Sequence, residues 1–158
     1  MSKTELTVEP GTHEISMMRI FDAPRELVFE TTMDPDLIPR WWGPRYLETT
    51  VDEMDVRPGG RWRFLQRDPE GHVHAFHGVY HDITAPERMV CTFEYEGVPG
   101  HVLLQTATYE DVGGKTKLTL QSVFQSVADR DGMVESGMET GARDMMDRMA
   151  ELLTAARV

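Results

Sequence analysis

The stretch METGARDMMDRMAELL (residues 138–153) decides the fold, because it predicts one long helix with a single apolar face. Along it, apolar residues recur at intervals of four, three, four and three, the spacing of one side of an α-helix: Met138, Ala142, Met145, Met149 and Leu152. Charged residues occupy the other positions: Glu139, Arg143, Asp144, Asp147, Arg148 and Glu151. We predict a helix over residues 130–156, whose apolar face needs a partner surface.

The partner is predicted from residues 46–124, where short alternations of apolar and polar residues are separated by turn sequences. These are RPGG (57–60), DPEG (68–71), APER (85–88), EGVPG (96–100) and DVGGK (111–115). Near-regular turns of this kind are typical of an antiparallel meander. Six strands are expected, at 47–56, 61–67, 72–83, 88–95, 101–110 and 115–124.

The segment before the meander adds one strand and two short helices. HEISMMRIF (13–21) alternates as a strand does. DAPRELVFETTM (22–33) is helical in pattern, and a second helix follows in DPDLIPRWW (34–42), with Asp34 as its predicted N-cap and Pro39 limiting its length. The expected architecture is therefore α+β: seven curved antiparallel strands covered by a C-terminal helix.

Length and composition restrict the class of protein. A chain of 158 residues suits one domain, predicted over 13–156 after a flexible lead-in at 1–12. The net charge of −11 disfavours a nucleic-acid partner. We predict no membrane partner, because the sequence has no long apolar run. The single cysteine, Cys91, excludes an internal disulfide. With no secretory leader evident, a cytoplasmic location is expected.

Five segments together resemble the heat-shock-protein-90 ATPase activator-homologue family, which belongs to the START/Bet v 1-like (SRPBCC) superfamily. They are FDAPRELVFETTMDPDLIPRWWGP (21–44), DVRPGGRWRF (55–64), GVYHDITAPERMVCTFEY (78–95), GGKTKLTLQSVF (113–124) and GMETGARDMMDRMAELL (137–153). The resemblance implies a helix-grip fold, seven strands around a C-terminal helix, with a cavity for a small hydrophobic molecule. It implies no catalytic residue set and no cofactor.

The cavity wall is predicted from strand alternation and from the helix stripe. In RWRFLQR (61–67), Trp62, Phe64 and Gln66 share the face expected to meet the helix. The predicted ligand-binding residues are Trp42, Trp62, Phe64, Phe76, His77, Tyr80, Leu118, Leu120, Met138, Met145 and Met149. The alternative is that these side chains simply fill a core. For the adjacent tryptophans 41 and 42, we expect one ring buried and the other, Trp42, at the cavity mouth.

Histidine is concentrated in HVHAFHGVYH (72–81). His72 and His74 lie two apart, so they can share a metal ion, but a solvated hairpin tip is the simpler interpretation, and we predict no metal. His77, in mid-strand, is the histidine expected to reach the cavity as a proton carrier. Cys91 is interpreted as a small buried apolar residue.

Arginines 57, 61, 63 and 67 form a basic stripe that either pairs with carboxylates on the preceding strand or binds an anionic ligand.

Three functions remain open from the sequence. The first is binding of a small hydrophobic or aromatic molecule. The second is a polyketide cyclase/dehydratase-like enzyme, which requires a buried polar group such as His77, Tyr80 or Glu94. The third is a co-chaperone or stress-response interaction module. The sequence is compatible with a homodimer but marks no interface.

Overall fold

A computed structural model describes residues 3–156, which form eight strands and four helices. The strands are β1 (Glu5–Thr7), β2 (Glu14–Phe21), β3 (Glu48–Met54), β4 (Arg61–Arg67), β5 (Val73–Thr84), β6 (Arg88–Tyr95), β7 (Leu103–Val112) and β8 (Lys115–Val123). The helices are α1 (Arg25–Met33), α2 (Ile38–Trp41), α3 (Val127–Glu135) and α4 (Met138–Ala156). The predicted helix-grip architecture is confirmed.

All eight strands form one antiparallel sheet in the order β1-β2-β8-β7-β6-β5-β4-β3. The strand count exceeds the expected seven, because residues 5–7 pair with the outer edge of β2, where Glu5 lies opposite Met18. Three residues are too few to show alternation in a sequence, so this edge strand is visible only through its pairing partner.

The prediction of a single helix over residues 130–156 is wrong, because this segment contains parts of two helices. Helix α3 begins after Ser126, whose side chain accepts a hydrogen bond from the Asp129 backbone N–H. It ends before Gly137, which adopts a φ of +85°. Glycine is favoured in this left-handed conformation, which terminates helices. The break lets α3 and α4 cover different parts of the sheet.

The buried face of α4 is rotated from the predicted stripe. Its buried residues are Ala142, Met146, Met149 and Leu153, whereas Met145 and Leu152 are only half-buried. Met146 and Leu153 therefore contribute more to the core than their predicted neighbours do. The rotation leaves Met145 beside a cavity under the sheet.

The two ends of the layer between sheet and helices differ. Near α1 and α2 the space is filled, with Val28, Ile38 and Trp41 almost completely buried. Toward α3 and the start of α4 the space is hollow. Within residues 3–156, no helix is both long and apolar enough to cross a membrane.

Candidate ligand-binding cavity

An inner cavity of about 200 Å³ lies between the sheet, the helices α3 and α4, and the loop that follows α2. Side chains of seven strands, all except β3, converge there beneath the break between the two helices. A cavity of about 150 Å³ with aliphatic and aromatic walls can hold a benzene molecule, so this larger volume suits a small aromatic molecule. The lining residues are Leu6, Ile15, Met17, Trp42, Gly43, Pro44, Gln66, Phe76, Phe93, Leu103, Gln105, Leu120, Ser122, Phe124, Met133, Met138, Gly141, Ala142 and Met145.

The Trp42 ring forms one wall of the inner cavity and stands at the centre of an aromatic cluster. Its centroid lies 5.1 Å from that of Phe64 and 5.4 Å from that of Phe76, both in edge-to-face geometry. Trp62 and Phe93 complete the cluster at 6.2 and 6.4 Å. Edge-to-face pairs of this kind add to the stabilisation from burial. The adjacent Trp41 points instead into the core, so the two rings separate as the sequence predicts.

Arg148 on α4 fixes the backbone of the loop that carries Trp42. Its guanidinium donates to the carbonyl oxygens of Gly43 at 2.9 Å, Pro39 at 3.1 Å and Trp42 at 3.4 Å. The Trp42 carbonyl also accepts from the Thr49 hydroxyl at 2.9 Å. Partial burial lowers the pKa of Arg148. The helix therefore determines where the Trp42 ring lies.

Gly43 is required by the close approach of this loop to β4. It has a φ of +88°, and a Cβ at this position would overlap the side-chain amide of Gln66. Gln66 is buried and donates to the Thr49 hydroxyl at 3.4 Å. Only glycine combines the left-handed backbone with room for that amide.

The inner cavity has polar groups but no charged lining residue. Gln105 on β7 and Ser122 on β8 are direct cross-strand partners with inward-facing side chains. Within residues 3–156, the Gln105 amide has one recorded contact, a weak one from the Cys91 thiol at 4.0 Å, and the Ser122 hydroxyl has none. The wall therefore presents uncharged groups that are free to form hydrogen bonds.

A second, outer chamber of about 400 Å³ adjoins the inner cavity and shares four lining residues with it: Phe93, Leu103, Phe124 and Met133. Tyr95, His101, Asp129 and Ser136 contribute its polar walls. The imidazole of His101 lies 2.8 Å from an oxygen of Asp129. Unlike the inner cavity, the outer chamber therefore has ionisable side chains in its wall.

Tyr95 belongs to a line of three polar residues at the edge of the outer chamber. Its hydroxyl lies 3.0 Å from Nδ1 of His74, and Nε2 of His74 lies 3.2 Å from a carboxylate oxygen of Asp68. Partial burial opposes ionisation of Asp68, but hydrogen bonds from His74 and from the backbone N–H groups of His72 and Glu70 outweigh it and lower its pKa. An ionised Asp68 therefore orients His74, and His74 in turn orients the Tyr95 hydroxyl.

The structure distributes the predicted site residues among three locations. The inner cavity is lined by Trp42, Phe76, Leu120, Met138 and Met145. Buried in the core outside that lining are Trp62, Phe64, Tyr80, Leu118 and Met149. His77 lies on the outer face of the sheet, with Nδ1 2.9 Å from Glu96 and Nε2 3.4 Å from Glu94.

The outer-face cluster around His77 also contains Arg63, whose guanidinium donates two hydrogen bonds to Glu96 at 2.8 and 2.9 Å. These bonds, helped by His77, lower the pKa of Glu96 to about 2. Arg63 also pairs with Asp52 on β3, as cross-strand charge pairing predicts for this arginine. In the described part of the chain, no group of three or more His, Cys, Asp or Glu side chains could hold a metal ion.

Tyr80 and Cys91 are buried opposite each other in the core. Burial raises the pKa of the Tyr80 phenol, and burial raises the pKa of the Cys91 thiol to about 12. Both groups are therefore neutral in the folded chain near neutral pH.

Sequence reasoning missed Gln105, Ser122 and Tyr95 as wall residues. The alternation that could have found them is present, because Leu103, Gln105 and Ala107 occupy successive inward positions of β7. The predicted wall is chosen mainly from apolar residues, so the polar residues on the same face of the strand are left out.

A family model for activator of Hsp90 ATPase homolog 1-like protein matches residues 22–154, and the chain belongs to that family. This agrees with the resemblance stated from the sequence. A search of curated proteins found no match.

Solved structures share the fold at low sequence identity. A protein from Rhodobacter sphaeroides superposes with a TM-score of 0.89 at 22% identity, over 97% of this chain and 99% of its own. One from Arthrobacter aurescens gives 0.88 at 24%, over 96% and 91%. One from Mycobacterium smegmatis gives 0.87 at 22%, over 96% of both chains. At these identities the likeness establishes the fold.

Proposed function

We propose that this chain binds a small hydrophobic or aromatic molecule in the cavity between the sheet and the C-terminal helices. The observation that carries the proposal is the inner cavity itself, which is lined mainly by apolar side chains and has Trp42 in its wall. Ligand sites are typically concave and apolar with a few placed polar groups, and this description fits both chambers. We place this function in the cytoplasm, as the sequence predicts.

Methionine supports the proposal further, because four methionines line the inner cavity: Met17, Met133, Met138 and Met145. Methionine side chains are flexible and polarisable, so they adapt to ligands of different shape. The cavity wall can therefore adjust to a ligand through side-chain rotations.

A second candidate function is a cyclase/dehydratase-like enzyme that uses the same space. His77 and Glu94 lie on the outer face and Tyr80 is buried in the core, so these three residues give it little support. The line from Asp68 through His74 to Tyr95 favours it instead, because an oriented hydroxyl beside a ligand chamber is suited to general acid–base chemistry.

The test uses thermal unfolding with 2-naphthol, a neutral two-ring aromatic probe. A ligand at roughly 10 to 100 times its Kd stabilises a protein by about 1.4 to 2.7 kcal/mol, which is readily measured as a shift in Tm. The shift should disappear in Trp42→Ala and persist in Tyr46→Ala, since Tyr46 is 66% exposed and outside the lining.

Native mass spectrometry of the purified protein complements this test. A reproducible additional mass that Trp42→Ala loses would support binding and identify the ligand's chemistry. Absence of a bound mass, together with no thermal shift from 2-naphthol or from a panel of neutral aromatics, would overturn the proposal and direct attention to protein partners.

A further inference from the structure

We infer that the ligand is uncharged and carries a hydrogen-bonding group, which Gln105 and Ser122 recognise inside the inner cavity. The inference rests on the proposed function and narrows it to a ligand class: neutral molecules with an apolar ring and an amide, hydroxyl or ketone. Carboxylates and other anions of the same shape are excluded.

The first support is the pairing of two free polar side chains. Gln105 and Ser122 lie directly opposite each other on β7 and β8 and both face the cavity. An amide offers two N–H donors and a carbonyl acceptor, and a hydroxyl offers one donor and two acceptor positions. Apart from the weak contact of the Cys91 thiol with the Gln105 oxygen, these capacities are unused within residues 3–156.

The second support is the lack of a cation for an anionic ligand. None of the residues that line the inner cavity is charged. The two buried arginines are engaged elsewhere: Arg19 pairs with Asp147, and Arg130 pairs with Asp131 and donates to the Glu9 carbonyl. The net charge of −11 adds an unfavourable long-range field for anions.

The energetic consequence follows from desolvation. An ionised carboxylate that loses water without meeting a cation is strongly disfavoured, whereas an amide or hydroxyl that finds complementary partners is not. Conversely, a wholly apolar ligand would leave the Gln105 amide without hydrogen-bond partners, which also costs free energy. The site therefore discriminates in both directions and favours a neutral polar group on an apolar body.

The experiment is isothermal titration calorimetry at pH 7 with three probes of one skeleton. They are 2-naphthamide, which is neutral and polar, 2-naphthoate, which is nearly isosteric but ionised, and 2-ethylnaphthalene, which is apolar. We expect 2-naphthamide to bind at least about tenfold more tightly than 2-naphthoate, because only the carboxylate suffers uncompensated burial.

The variants are Gln105→Leu and Ser122→Ala, with Gln121→Leu as the matched control. Gln121 lies next to Ser122 on β8 and so faces the opposite side of the sheet. Each cavity variant should weaken 2-naphthamide by about fivefold or more, the loss of a hydrogen bond, while binding of 2-ethylnaphthalene is kept or strengthened. That retained binding shows that the variant is folded. Gln121→Leu should leave all three affinities unchanged.

The outcomes separate the two proposals. If none of the three probes binds, the inference about Gln105 and Ser122 fails, and the native mass spectrometry and thermal-shift panel described above decide separately whether the ligand-binding function stands. If the probes bind but 2-naphthoate matches or exceeds 2-naphthamide, the inference about charge is overturned while the binding function stands. If neither Gln105→Leu nor Ser122→Ala alters the affinity for 2-naphthamide, recognition by this pair is overturned.

Discussion

Arg148→Met tests whether the helix holds the Trp42 loop in place. The arginine donates to three backbone carbonyls of that loop, those of Pro39, Trp42 and Gly43. Methionine keeps most of the apolar stem and removes the donors. The substitution therefore isolates the hydrogen bonds from the packing of the side chain.

The expected loss is worked out from the carbonyls left without a donor. The Trp42 carbonyl keeps its bond from Thr49, so two acceptors, those of Pro39 and Gly43, lose their partner. An unpaired acceptor costs about 1–3 kcal/mol when buried. The Gly43 bond is partly buried, so the low end of that range applies to its carbonyl, whereas the Pro39 bond lies at the surface and its carbonyl can accept a bond from water instead. The expected loss is about 1–2 kcal/mol in all. For a domain of this size that corresponds to a fall in Tm of about 2–8 °C.

The assay is urea unfolding followed by tryptophan fluorescence, with Arg45→Met as the control. Arg45 pairs with Glu151 on the same helix, but both side chains are more than half exposed, so the control should lose no more than about 1 kcal/mol. Arg148→Met should also weaken 2-naphthol binding, because the Trp42 wall shifts. If Arg148→Met is as stable as Arg45→Met and binds equally well, the Arg148 hydrogen bonds do not position the loop.

Three further predictions concern other parts of the fold. Gly43→Ala should destabilise the chain more than Gly71→Ala, because both glycines have a φ near +89° but only the Cβ at 43 meets another side chain; urea midpoints compare the two. The Cys91 thiol, whose pKa is raised to about 12, should not react with a disulfide reagent at pH 8 until urea unfolds the chain; rapid labelling of the native chain would contradict its burial. The contribution of this thiol to stability should be lost as pH rises from about 9 toward 12. Glu96 has a pKa lowered to about 2, so its contribution is present above its ordinary value of about 4.3 and lost as pH falls toward 2. Glu96→Gln should therefore flatten the acid limb of the stability curve, and an unchanged limb would count against the pairing with Arg63.

Alternation and turn residues predict most of this fold from the sequence. The strand 61–67 is predicted with the bounds that the structure has, and 88–95 likewise, because both alternate clearly and are bounded by Gly or Pro turns. The short strand β1 and the break at Gly137 are harder to predict. The first depends on a distant partner strand, and the second depends on one glycine that a helical pattern tolerates.

The cavity is less predictable than the fold, because it remains only where inward side chains of the sheet do not contact those of the helices. Trp62 and Met145 both carry the correct pattern, yet Trp62 is enclosed in the core and Met145 lines the cavity. The difference comes from the rotation of α4 and from the shape of the loop around Gly43, neither of which is contained in strand periodicity. The polar pair of Gln105 and Ser122 follows from register, which only the paired strands reveal.

Methyl NMR of the protein labelled with ε-¹³C-methionine tests the central claim most directly, because methionines lie both in the cavity and in the core. On titration with 2-naphthamide, we expect the methyl signals of Met17, Met133, Met138 and Met145 to shift, since these side chains line the cavity. The signals of Met89, Met146 and Met149, buried outside that lining, should stay nearly fixed. Shifts confined to this second group or to surface methionines, or no shift at saturating probe, would contradict a ligand site between the sheet and the C-terminal helices.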